Sequence, residues 1–204
     1  MLLKIYNENP SHRHILRVIE TLDKGGIAIY PTDSVYAFGC DIMRPKAIEK
    51  LIRIKGTDPR KPDLSLICYD MSMVAEYTGI LNNTIFRILK KNLPGPFTFI
   101  LPAGSKVPKI FTARKKTVGI RIPANNIMRE IVLELGRPVL TTSVHDDDEI
   151  IEYTTDPELI YEKYQHLVDL VIDGGYGNNE PSTIIDCTGK VPVIVRQGLG
   201  VLVE

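Results

Sequence analysis

In this chain the residues that could do chemistry are hydroxyl groups at the ends of apolar runs and single arginines set among β-branched side chains. The first group is Thr32-Asp33-Ser34, inside Tyr30-Pro31-Thr32-Asp33-Ser34-Val35-Tyr36-Ala37-Phe38-Gly39. Pro31 stops the buried run Ile27–Tyr30, so these polar residues fall at a strand's carboxyl end, where their donors can meet a ligand. The same residues also make ordinary Asx and Ser/Thr turns. A second group, Arg53-Ile54-Lys55-Gly56-Thr57 followed by Asp58-Pro59-Arg60-Lys61-Pro62, sets four cations at a helix end and in a Gly/Pro loop. Lysine brings a point charge and arginine a fork for phosphate oxygens, although cations also suit a helix C-terminus structurally.

Arg121 stands in Val118-Gly119-Ile120-Arg121-Ile122-Pro123. A guanidinium there is costly to bury without an anion, so it needs a ligand carboxylate or an internal acid, unless its strand has a solvated face. Val139-Leu140-Thr141-Thr142-Ser143-Val144-His145 puts three hydroxyls after an apolar strand, a second anion or amino-acid site. His145 is either a base or a surface residue ahead of Asp146-Asp147-Asp148-Glu149, a run that reads as solvated loop before it reads as a Mg²⁺ site. Pro94-Gly95-Pro96-Phe97-Thr98, Glu180-Pro181-Ser182-Thr183 and Val195-Arg196-Gln197-Gly198 add further hydroxyls and one more arginine beside strands. The phosphate loops, nucleophile elbow and zinc-protease motif of the common nucleotide and hydrolase frameworks are missing.

The elements that position these groups follow from periodicity. Helices are predicted after Ser11, ending at Gly25-Gly26; from Pro45; around Ile85–Leu89; over Ile127–Leu135, ended by Gly136; and after the cap pair Asp156-Pro157. Strands are predicted at Ile27–Tyr30, Leu64–Cys68, Phe97–Leu101, Val118–Ile122, Val139–Thr142, Leu170–Ile172, Thr183–Asp186 and Val193–Arg196. Polar loops at 56–63, 104–116, 146–155 and 174–181 connect them. The irregular alternation argues for a mixed α/β sheet in one domain, 1–204.

Length, 44% hydrophobic and 25% charged residues describe one globular domain, and equal acids and bases leave no global field toward nucleic acid or membrane. No apolar run reaches the roughly 20 residues of a membrane span, and the N-terminus lacks the pattern of a signal peptide, so a cytoplasmic protein is expected. Cys40, Cys68 and Cys187 lie far apart in apolar surroundings, as buried free thiols do.

Taken in order, these segments form a series: Gly-Gly-x3-Tyr-Pro-Thr-Asp-Ser-x-Tyr, Ile-Lys-Gly, Pro-Gly-Pro-x-Thr, Val-Gly-Ile-Arg-Ile-Pro, Thr-Thr-Ser, Pro-Ser-Thr-Ile-Ile-Asp and Val-Arg-Gln-Gly. The series resembles the YrdC/YciO superfamily from about Ile15 to Gly200, and its details look closest to the YciO branch. The resemblance implies a YrdC/RibB-like twisted, mixed, open sheet with flanking helices and a concave, locally basic face. It implies L-threonylcarbamoyladenylate synthesis: ATP, L-threonine and bicarbonate give the adenylate and pyrophosphate, with Mg²⁺ on the ATP and no tightly bound cofactor or protein-held metal. The product serves N6-threonylcarbamoyl modification of adenosine 37 in tRNA. The alternative it carries is a double-stranded RNA- or tRNA-binding protein without efficient adenylate synthesis, its cations drawn from 53–61 and from Lys106, Lys109, Arg114, Lys115 and Lys116.

Carried over by position, Thr32, Thr98, Arg121 and Thr141 would bind the amino acid. Lys55, Arg60, Ser143, Ser182 and Arg196 would meet the nucleotide, and Lys55 and Arg121 would act in catalysis. Two positions depart from the synthase pattern: Lys-x-Arg is Lys55-Gly56-Thr57 here, and Ser-x-Asn is Ser143-Val144-His145. Losing two phosphate contacts is expected to weaken adenylate synthesis while sparing fold and pocket.

Overall fold

The computed structural model describes residues 1–56, 64–109, 116–144 and 152–203. In chain order the elements are β1 (Leu2–Lys4), α1 (His12–Asp23), β2 (Ala28–Tyr30), β3 (Ala37–Asp41), α2 (Pro45–Lys55), β4 (Ser65–Ile67), α3 (Met71–Tyr77) and α4 (Asn83–Asn92). There follow β5 (Phe97–Pro102), β6 (Thr117–Arg121), α5 (Asn126–Leu135), β7 (Val139–Ser143), α6 (Glu152–Thr155), α7 (Pro157–Tyr164), β8 (Leu170–Asp173), β9 (Thr183–Asp186) and β10 (Val193–Arg196).

All ten strands join one sheet in the order β1-β8-β2-β3-β7-β4-β6-β5-β9-β10. Parallel pairs (β1 with β8, β2 with β8, β4 with β6, β5 with β9) are mixed with antiparallel ones, so the expected mixed α/β architecture is present. The helix ends follow their sequence signals. Asp70, Asn82, Asn125 and Asp156 each accept a backbone N–H at an N-terminus, and Gly56 and Gly136 end α2 and α5 in left-handed conformation. Ser11 takes the N-cap place of α1 through its carbonyl, without a side-chain cap bond. Strands β1 and β3 and helices α3 and α6 were not expected, α6 lying within the segment 146–155 read as a polar loop. The β3 residues Ala37-Phe38-Gly39-Cys40-Asp41 carry little β propensity, yet all five are buried between β2 and β7.

The two faces of the sheet are covered differently. On one, Phe38, Cys40, Leu66, Phe99, Leu101, Val118, Ile120 and Ile185 pack under α2, α3, α4 and α7 in the larger core. On the other, α1 and α5 cover Ala28, Tyr30, Ala37, Ile67, Val139, Leu170 and Ile172. That cover runs out at β4. Beyond it the residues of this face are Ser65, Gly119, Ile100, Ile184 and Asp186, all half-buried, with Thr98 and Arg121 sunk between them. Their alternation with wholly buried neighbours on β5, β6 and β9 is the period of two expected where one face is packed and the other open.

A topological detail fixes the shape of this open half. Strands β8 and β9 are second and ninth in the order, seven spacings apart. At about 4.8 Å per spacing a flat sheet would separate them by roughly 34 Å, close to the full extension of the chain between Asp173 and Thr183. The connecting strap, 174–182, is not straight: Gly175 has φ +89°, and Asn178 turns back to accept from Glu180 N. The sheet therefore curls, and the strap runs across the curl. On its way it donates from Asn178 N to Ser34 O and brackets the Tyr36 hydroxyl, which accepts from Gly174 N and donates to Gly175 O.

Candidate functional site: an open sheet floor lined with hydroxyls and cations

Arg121 ends β6 on the open face with its side chain 5% exposed. Its Nη2 donates to Asp33 Oδ1 and to Ser34 Oγ, both at 2.9 Å, while Asp33 Oδ2 accepts from Ala124 N at 2.8 Å. The internal acid is thus the partner that its place among β-branched residues required. Burial lowers the pKa of Arg121 from the ordinary guanidinium value, and Asp33 opposes that shift. Nε of Arg121 is buried without a hydrogen-bond partner among the described residues.

Beside it, Thr98 Oγ1 and Ser182 Oγ lie 2.9 Å apart, joining β5 to the start of β9. Arg196, on the edge strand β10, donates from Nη2 to Ser182 O at 2.7 Å, and is near enough to Arg121 to disfavour its charge. Burial also lowers the pKa of Arg196. These four residues form one group. A second stands at the other end of the floor, where Lys55, the last residue of α2, donates from Nζ to Ser143 O at 3.0 Å. In register, Ser143 is level with Ala37, and Arg121 is level with Ile67 and Val139, four residues further along β7. Four residues of strand are about 13 Å, the scale of an amino acid joined to a nucleotide.

Thr32 and Thr141 spend their hydroxyls within the protein. Thr32 Oγ1 donates to Val35 O at 2.7 Å and accepts from Ser34 N, so it closes the turn that holds Ser34 toward Arg121. Thr141 Oγ1 accepts from the Tyr30 hydroxyl at 2.8 Å and donates to Phe38 O. Both shape the site's wall. Thr57, Arg60, Arg114, Lys115, His145 and the acidic run at 146–149 lie outside the described residues. Sequence reasoning passed over Asp33 and Ser34 as partners of Arg121, and Ser65 and Gly119 as floor. The usable signal was alternation: each small residue has buried apolar neighbours on its strand.

The open half-sheet thus has one cationic group at each end, and solved structures share the α/β fold that carries it. The crystal structure of P. abyssi Sua5 complexed with L-threonine superposes with a TM-score of 0.87 at 24% identity, covering 97% of this chain and 57% of that one. Full-length HypF in its phosphate- and nucleotide-bound form gives 0.75 at 19% identity, covering 90% and 29%. At these identities the likeness is one of fold. Escherichia coli YciO is nearer, with a TM-score of 0.90, 39% identity and 98% and 96% of the two chains covered. YciO of E. coli K12, described as an uncharacterized protein, is 40% identical over 198 residues, 96% of this chain and 94% of its own. The Sua5/YciO/YrdC family model, which carries the description "Telomere recombination", matches residues 20–198. The chain belongs to the Sua5/YciO/YrdC family.

Proposed function

We propose that the protein is a nucleotidyltransferase of the threonylcarbamoyladenylate-synthase type, a weak one, whose product supplies the N6-threonylcarbamoyl group of adenosine 37 in tRNA. The observation that carries this is the division of one open floor into two cationic ends, Arg121–Thr98–Ser182–Arg196 and Lys55–Ser143. The threonine complex of P. abyssi Sua5 and the nucleotide-bound HypF support the choice of ligands on the same fold.

In this reading Arg121, held by Asp33, faces the amino-acid carboxylate, and Lys55, at the other end of the floor, meets the phosphates of ATP, which brings its own Mg²⁺. Bicarbonate and the threonine amine give a carbamate with loss of water. A carbamate oxygen then attacks the α-phosphorus, and the bond to the β-phosphate oxygen breaks to release pyrophosphate. The protein's part is to align the reactants and neutralise charge that builds on the phosphates. The RNA-binding alternative draws less support, since Lys106 of its proposed cation supply is ion-paired to Glu76 at 2.6 Å.

The test is to incubate purified protein with ATP, Mg²⁺, bicarbonate and radiolabelled threonine. The expected result is a labelled adenylate and threonine-dependent pyrophosphate, both reduced at least tenfold in Lys55→Ala. If neither product rises above that variant, the reading falls; a tRNA shift that weakens steeply with salt would then favour the RNA alternative.

A further inference from the structure

We infer that Ser65 is a substrate-contacting residue, its hydroxyl aimed at the group that joins amino acid to nucleotide; this rests on the synthase reading above. Ser65 opens β4 on the uncovered face, flanked in register by Thr141 on β7 and Gly119 on β6. It lies one level from Arg121 and one level from Ser143, about 7 Å along the strands from each. A ligand that spans the two cationic ends must cross it.

The surroundings of Ser65 leave its hydroxyl unused by the protein. Thr141 Oγ1 is taken by Tyr30 and Phe38, and Thr98 and Ser182 are occupied with each other. Ser65 Oγ has no hydrogen-bond partner among the described residues, although the residue is only half-buried and sits at the centre of the floor. Gly119 makes room for it: a Cβ at position 119 would stand 2.4 Å from Ser65 Oγ and 3.4 Å from Thr98 Cγ2. A serine in this place supplies a donor to the carbamate or α-phosphate oxygens where charge shifts during the transfer. The neighbouring arginines and lysine are held at the ends and do not supply that donor.

The experiment measures steady-state adenylate formation by wild type, Ser65→Ala and Ser65→Thr, with a thermal melt of each. A contact made at the reacting centre predicts that Ser65→Ala loses at least tenfold in kcat, with KM for ATP and for threonine within threefold. Ser65→Thr, which keeps the hydroxyl, recovers most of that loss. The melting temperature of Ser65→Ala stays at the wild-type value because no protein hydrogen bond is lost. Wild-type kinetics in Ser65→Ala, or equal loss in Ser65→Thr and Ser65→Ala, overturns the inference and leaves the synthase reading standing. A wild-type protein that forms no adenylate overturns both.

Discussion

Arg121 and Asp33 show how strongly a single buried charge constrains its neighbours. Their side chains are 5% and 8% exposed, and each oxygen of Asp33 has a donor, one from the guanidinium and one from the backbone at Ala124. Removing one partner strands the other in a poorly solvated place. Asp33→Ala is expected to cost about 3 kcal/mol in urea unfolding, and the double variant Asp33→Ala/Arg121→Met to recover most of it, because a buried pair can often be exchanged for apolar volume at little net cost. Equal stability of the single and double variants would show that the pair is not the source of the loss. The arginine was legible in the sequence, since a guanidinium among valines and isoleucines demands an anion. Its partner was not: Asp33 is 88 positions away, and the turn that presents it depends on the hydroxyl of Thr32.

At the scale of elements, the hairpin of β2 and β3 belongs to the covered half of the sheet and is tied to β7, the strand before the open floor begins. Tyr30 reaches across Gly39 to bond Thr141, and a Cβ at Gly39 would meet the Tyr30 hydroxyl oxygen at 2.4 Å and its ring at 2.5 Å. Gly39→Ala is therefore expected to push the ring aside and lower stability by about 1–3 kcal/mol in urea denaturation. An unchanged midpoint would mean that Tyr30 moves freely. Most other elements were readable because caps, prolines and periodicity agreed, as with Pro45, Asn125 and Gly136. Strand β3 was hidden by its alanine, glycine and aspartate, which become a strand only once β2 and β7 close on both sides. The floor was hidden for a related reason. Whether Ser65 or Leu66 faces the solvent depends on where α5 ends its cover, and sequence spacing carries no such information. On the edge strand β10, Val193, Ile194 and Val195 are 59%, 46% and 60% exposed, and the irregular register between Ile194 and Arg196 precedes the arginine that bonds Ser182.

Across the whole molecule, buried protonated groups make stability a function of alkaline pH. Burial pushes the thiol of Cys187 up to about 11 and that of Cys40 up to about 12, from 9.0, and also raises Cys68, Tyr30 and Tyr36. Folded pKa values above unfolded ones mean that stability is complete below pH 9 and is lost as pH rises through the folded values. Urea midpoints should hold from pH 7 to 9 and then fall; a flat profile to pH 11 would contradict these environments. At the end of the sheet away from the hairpin, Arg137 grips Asp41 through Nε at 2.9 Å and Nη2 at 2.6 Å, and also bonds Asp23, tying α1, β3 and the segment after α5 together. No helix among the described residues is long and apolar enough to cross a membrane.

The strap at 174–182 acts on the sheet as a string acts on a bow. Its fixed number of residues sets how far β8 and β9 can spring apart, and hence how wide the hollow between them opens. Slackening it with a Gly-Ser insertion between Asn179 and Glu180 should flatten the hollow, raising KM for both substrates in the adenylate assay while the melting temperature stays put. Ligand affinity in this protein would then be tuned from a segment of which only the last residue, Ser182, belongs to the site.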